Sequence, residues 1–422
     1  MFKERYAEKI ERLVTPGVRF IKDVKLVAPK AQIGNIYHQP VVLTHEHGFT
    51  YAAASAGAFA VNTPVAAAHG DAQVTGAQVL LESRIDYESA HRAKKDGRAF
   101  ADAMDHVVRN MFESMQRRVE LEHLRGQRGV VRLLQRISGG GTATQVWSVA
   151  LSTWSAGTLA GLEGAPVDIL EGSTGSPGAK INTTTVAILA SVDIANRRVT
   201  LTGTTADLDA ITSDTAEAGD EDFLFFQGAS ASTEWAGLRT IISNTGTMFN
   251  IAGGVYSMWQ GNTYDVGTAI TAPAQLTMQK VFDAVDLATS RGLDESACLY
   301  VNPRTWSDLM GDLAALRKYD SSYQAKMGKN GMEALAFHSQ NGLIGIEPHI
   351  LMPEGEAYLF PKARATRLGS TDITFGVPDD PNGDIFYHLP SNAGYGLRGY
   401  TFQATFIPTP AKCALLRFIA NS

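Results

Sequence analysis

Gly394-Tyr-Gly396-Leu-Arg-Gly399 has the spacing of a dinucleotide-binding turn. That chemistry needs a strand before the glycines and a helix N-terminus after them, so that backbone N–H groups meet the pyrophosphate. Here a Pro- and Asn-rich loop precedes and a strand containing Thr401 follows, so no cofactor is assigned. Gly172 to Lys180 has the composition of a phosphate loop. Pro177 stands where the second glycine belongs, and β-branched residues follow in place of a helix, which is a turn's pattern. His45-Glu46-His47 would put two imidazoles on one side of a strand, but no Cys is near and no third ligand can be identified. Asp380, Asn382 and Asp384 alternate like the first ligands of a calcium loop. Ile385 then replaces the sharp-turn glycine and Ser391 the bidentate acid, leaving a Pro381-Asn382-Gly383 turn. No Ser/His/Asp or Cys/His set has local support. The expectation is a chain without catalytic, cofactor-binding or metal-binding residues, and not an enzyme.

If these residues do no chemistry, the elements around them carry the reading. The chain has 422 residues, 44% hydrophobic and 19% charged, a globular composition with room for two or three domains. Its net charge of −6 argues against a protein that coats nucleic acid. Cys298 and Cys413 stand far apart, which excludes a disulfide framework and fits a reducing compartment. Met1 to Val14 is charged throughout and lacks the apolar core of a secretory signal. Phe49 to Ala68 is long enough for a membrane span, but Ala, Ser and Gly dominate it and Asn62 and Pro64 interrupt it; it reads as an exposed extended loop.

Residues 1 to about 20 read as a short helix and a turn, and 21–48 as an extended arm without helical period. Residues 49–83 read as a two-stranded excursion turning at His69-Gly70-Asp71. A long helix is expected from Asp86 to Arg125, because Phe100, Met104, Val107, Met111, Met115 and Val119 recur at three- and four-residue steps. Gly97 weakens its first third and marks a bend or a start. From about 145 to 226, β-branched strands and turns form a β-rich block, bounded by Gly139-Gly140-Gly141 and by Gly228 to Ser232. A mixed α/β section follows: a helix from Thr277 to Arg291 stopped by Gly292, a strand Ala297 to Val301, and a helix capped by Asn302 with Pro303 in its first turn. Its apolar stripe is Trp306, Leu309, Met310, Leu313 and Leu316. The chain closes with strands near 357–360, 372–375, 385–388 and 401–407.

This order of elements resembles the major capsid protein of tailed bacteriophages, the Hong Kong ninety-seven type shell fold. Leu299-Tyr-Val-Asn302-Pro303-Arg304-Thr-Trp306 resembles that family's strand-to-helix junction. Trp235-Ala-Gly237-Leu238 resembles its entry into the axial domain, Gly345-Ile346-Glu347-Pro348 an axial strand, and Tyr395 to Pro410 the closing strand. The resemblance implies an α+β fold divided into an N-terminal arm (1–48), an extended loop (49–85), a spine helix of the peripheral domain (86–140), a β-rich insertion (141–232), an axial domain (233–370) and strands returning to the peripheral domain (371–422). It implies a structural subunit that self-assembles through hexamers and pentamers into an icosahedral shell around packaged double-stranded DNA, without sequence-specific contacts or a membrane. A separate scaffolding protein, a portal and a decoration protein are the implied partners. Assembly would take place in the host bacterial cytoplasm and the final location would be the virion capsid. The alternatives are a decoration or tail protein that binds a surface through the β-rich block, and an encapsulin-like compartment shell.

Overall fold

The computed structural model describes residues 17–27, 32–33, 36–86, 97–172, 176–211, 222–311, 335–339, 342–375, 386–388 and 394–421. The calcium-like pattern at 380–384, the start of the chain to residue 16, and Leu313 and Leu316 lie outside the described residues.

The described chain enters with α1 (Phe20–Asp23) and β1 (Leu26–Val27). β2 (Gln32–Ile33), β3 (Ile36–Val42) and β4 (His69–Thr75) form an antiparallel sheet. The register runs from Ile36 opposite Thr75 to Val42 opposite His69, so residues 43–68 are the far end of one long hairpin. This corrects the expected turn at His69-Gly70-Asp71. Gly70 lies inside β4 opposite Val41, and a Cβ there would come within 2.8 Å of Leu43 Cδ1. The glycine serves close packing, a use that sequence cannot separate from a turn.

β5 (Ala77–Asp86) leads towards the spine helix α2 (Gly97–Arg125). The helix therefore does not begin at Asp86, which is still strand. At 1.5 Å per residue, its 29 residues span about 44 Å. Met111, Met115, Val119 and Leu124 are buried along one face, as the three- and four-residue steps require.

After α2 the chain forms a closed antiparallel barrel of six strands. They are β6 (Val131–Ser138), β7 (Thr144–Val149), β8 (Pro166–Leu170), β9 (Ala187–Asp193), β10 (Arg198–Thr202) and β11 (Phe223–Phe226). The order around the barrel is β10, β7, β6, β11, β8, β9. Closure leaves no open sheet edge. Val131 pairs with Leu224, so the chain enters and leaves side by side. Gly139 to Gly141, expected to bound the block, instead turn the hairpin between β6 and β7, with positive φ at Gly139 and Gly141. Short helices α3 (Ala156–Leu159) and α4 (Thr205–Asp209) lie between strands. Val131, Trp147, Ile169, Leu189, Val199 and Leu201 fill the interior, and their cluster is continuous with Phe20, Leu124, Tyr300 and Tyr358 outside the barrel.

Beyond α5 (Leu238–Ile242) and the small hairpin β12 (Thr247–Met248) and β13 (Ile251–Ala252) comes a mixed sheet. Its strands are β14 (Asn262–Asp265), β16 (Ala297–Val301), β17 (Leu335–Ser339), β18 (Gly342–Pro348), β19 (Ala357–Phe360) and β23 (Ala414–Arg417). β15 (Ala274–Gln275) pairs beside it with β24 (Ile419–Ala420). Helix α6 (Met278–Ser290) packs Val281, Ala284, Val285 and Ala288 onto Leu299, Val301 and Leu359. Gly292 takes φ +96° after α6. The Asn302 side chain accepts from Arg304 N at 3.0 Å and caps α7 (Pro303–Gly311). A last sheet gathers β1, β5, β20 (Thr366–Thr374), β21 (Phe386–His388) and the long β22 (Gly394–Phe406). No helix among the described residues is long and apolar enough to cross a membrane.

Candidate functional site

The first candidate surface is the hairpin end at 43–68. It is laced by backbone bonds: Leu43 N to Ala68 O at 2.8 Å, His47 N to Val65 O at 2.9 Å, and Val65 N to His47 O at 3.1 Å. Asn62 adds a bond from its backbone N to Thr50 Oγ1 and one from Nδ2 to Phe49 O, both 2.8 Å. Gly48 takes φ +105°, and a Cβ there would meet Pro64 Cα at 2.9 Å. Every residue from 51 to 66 is exposed, so the ribbon has shape but no core. It nevertheless carries Phe49 at 72%, Tyr51 at 90% and Val61 at 79% exposure, and Phe59 is exposed as well.

The second is the seat of the arm. Glu120, on the buried face of α2, accepts from three successive backbone N–H groups: Arg19 at 2.9 Å, Phe20 at 2.6 Å and Ile21 at 2.9 Å. His349 completes the set. Leu351 N donates to its Nδ1 at 3.1 Å, which leaves Nε2–H to donate to Glu120 at 2.7 Å. One carboxylate thus joins the arm, the spine helix and the end of β18. On the other side, the buried Arg367 donates to Ile21 O and Val24 O at 3.3 Å, to Gln403 Oε1 at 2.7 and 3.0 Å, and to Asp372 at 2.9 Å. His123 packs here. Burial, and then the Arg367 cation, push it down to about 3, so it stays neutral. Because Gln403 Oε1 is an acceptor, His123 Nε2–H donates to it at 3.0 Å, and Nδ1 accepts from the Thr405 hydroxyl at 2.7 Å. At the rim, Lys362 bridges Asp23 at 2.5 Å and Glu347 at 2.8 Å.

The third is a joint after the spine. Gly237 N donates to Gly126 O at 3.3 Å, and Thr240 Oγ1 donates to the same oxygen at 2.8 Å. A Cβ on Gly126 would lie 2.2 Å from Trp235 O, and one on Gly237 would lie 2.4 Å from Gly126 N. The two backbones touch, and side chains would part them. Nearby, Arg117 Nη2 donates to the carbonyls of Gly157, Thr158 and Ala160 at 2.6, 3.0 and 2.7 Å, closing the end of α3.

The structure scatters the motifs that could have done chemistry. Gly394 to Gly399 lie within β22, paired residue by residue with β5. Their glycines make room: a Cβ on Gly399 would lie 2.2 Å from Met115 Sδ, and one on Gly396 would lie 2.4 Å from the Tyr387 ring. Lys180 pairs with Asp168 at 2.7 Å. His45, Glu46 and His47 are exposed. No group of three or more potential metal ligands occurs among the described residues. Both cysteines are free and buried, and burial pushes both thiols up. Glu120, Arg367 and Gln403 carry no signal in the sequence, where a polar letter on a helix or strand reads as a wet face.

The whole has the α+β fold of a tailed-phage capsid subunit. The chain superposes on a chain of the cyanophage A-1(L) capsid asymmetric unit with a TM-score of 0.53 at 10% identity, covering 98% of this chain and 95% of that one. Looser likenesses are to the capsid of a native GTA particle (TM-score 0.46, 11% identity, 100% of this chain and 96% of that one) and to Mycobacterium phage Bobi (0.45, 10%, 100% and 96%). At such identities the likeness concerns the fold and not individual residues. No protein-family model matches the chain, and no curated protein sequence matches it.

Proposed function

We propose that this chain is a major capsid protein, the repeating subunit of an icosahedral shell that encloses packaged double-stranded DNA. The observation that carries the reading is the chain-long likeness of fold to the cyanophage A-1(L) capsid chain. The coreless hairpin end with Phe49, Tyr51 and Val61 turned outward supports it, because a neighbouring copy would supply the missing cover. In this reading the subunits form hexamers and pentamers. The seated arm, spine helix and last sheet make the peripheral part, the mixed sheet makes the axial part, and the barrel is an insertion at the outer or intercapsomer surface. A separate scaffolding protein, a portal and a decoration protein are the proposed partners. DNA is confined without sequence-specific contacts, as suits a net charge of −6. Assembly is proposed in the bacterial cytoplasm, with the virion as the final location.

Hydrogen exchange tests the cover directly. Residues 49–66 bury too little to order themselves alone. Their amides should exchange quickly in unassembled subunits and slowly in particles; equal protection in both states would count against the reading.

A further inference from the structure

Two acidic side chains at the joint take no part in the backbone contact between Gly126 and Gly237. Glu122, on α2, is 4% exposed, and Glu234, on the chain leaving the barrel, is 7% exposed. Arg118 serves both, with Nη2 2.9 Å from Glu234 Oε1 and 3.9 Å from Glu122 Oε1. Glu234 Oε2 also accepts from Gln127 N at 2.9 Å. Glu122 Oε2 is buried and lacks a hydrogen-bond partner among the described residues. The groups facing the pair are few. From α2 they are Arg118 and, at longer range, Arg125, whose Nη1 is committed to Val130 O and Thr153 O. The barrel contributes the Phe226 ring, 3.9 Å under the Arg118 guanidinium. The turn after α2 contributes the Gln127 N–H.

We propose that Glu122 and Glu234 hold one proton between them and act as a proton-operated latch on the joint between the spine helix and the chain leaving the barrel. With the proton in place, the pair carries one negative charge, which Arg118 balances. When the proton leaves to solvent, two buried carboxylates face each other across one guanidinium, and like charges in that position repel. The elements that carry them are those held backbone to backbone at Gly126 and Gly237, so the repulsion acts on that contact. Burial, with Glu234 adding to it and Arg118 opposing, pushes Glu122 up to about 8, and burial raises Glu234 as well. The latch is therefore closed at neutral pH and opens in mild alkali. It is a property of the single chain and does not depend on shell formation.

The test is hydrogen exchange of the unassembled full chain, corrected for intrinsic rates, between roughly pH 6 and pH 9. Amides of 118–127 and 234–240 should lose protection as pH passes about 8, while those of β16 keep theirs. Glu122→Gln removes the second ionisable carboxyl and keeps the Arg118–Glu234 pair, so the loss of protection near pH 8 should disappear. A wild type equally protected across the range, or a variant that opens at the same pH, would overturn the latch. If the variant does not fold, the wild-type urea midpoint decides: it should fall steadily from weakly acidic to mildly alkaline pH, and a flat profile would overturn the proposal.

Discussion

Replacing Glu120 by alanine should release the arm. The carboxylate is fully buried and accepts from Arg19, Phe20 and Ile21 N–H and from His349. Hydrogen bonds to a charged acceptor are worth roughly 1.5–3 kcal/mol each, and they do not add. Removing one partner of a buried charged network costs about 3–5 kcal/mol, because the remaining donors stay buried without an acceptor. We expect a loss of about 3–5 kcal/mol, a large part of the ~5–15 kcal/mol that holds a typical domain. Urea unfolding at neutral pH reads the loss. Hydrogen exchange reads its location: the amides of 17–27 should lose protection while the barrel strands keep theirs. Glu120→Gln retains one oxygen for the arm amides but turns an N–H₂ towards a donor, so its loss should be intermediate. A change below about 1 kcal/mol, with the arm still protected, would show that Glu120 does not hold the arm.

Two further outcomes follow from the same packing. Gly399→Ala would place a Cβ 2.2 Å from Met115 Sδ and should cost about 1–3 kcal/mol by overpacking. A double-mutant cycle with Met115→Ala should recover most of that, and additive losses would contradict the contact. For pH, Glu122 has its folded value raised from 4.5 to about 8, so the native chain binds more protons than the unfolded chain within that window. Its stabilising contribution is full below about 4.5 and is lost as pH rises to about 8, at about 1.4 kcal/mol per pH unit. Glu122→Gln should flatten that slope in urea titrations, and an unchanged slope would contradict the assignment.

Elements with strong local signals were legible. The apolar steps of α6, the strand at Ala297–Val301, the Asn302 cap and the stop at Gly292 stand where the sequence places them. Glycine misled wherever it served packing or a turn inside a sheet. Gly70 and Gly399 relieve contacts with Leu43 and Met115, and Gly139 to Gly141 turn a barrel hairpin that composition alone made a boundary. The arm seat was illegible for another reason. Glu120 meets its donors across roughly a hundred residues of chain, and Arg367 meets Ile21 and Val24 across more. No local pattern separates such a buried acid from an exposed charge such as Arg109 on the same helix. The hairpin loop was legible as exposed from its Ala, Gly and Ser content, but its far end was placed wrongly, because the register of β3 on β4 is a tertiary choice.

Shell formation is read by electron microscopy of the full chain, expressed alone and together with the proteins encoded beside it. Closed particles of uniform diameter, with walls of five- and six-subunit rings, are expected in at least one of the two preparations. Monomers in both, with no rings or closed particles at any protein concentration, would contradict shell formation.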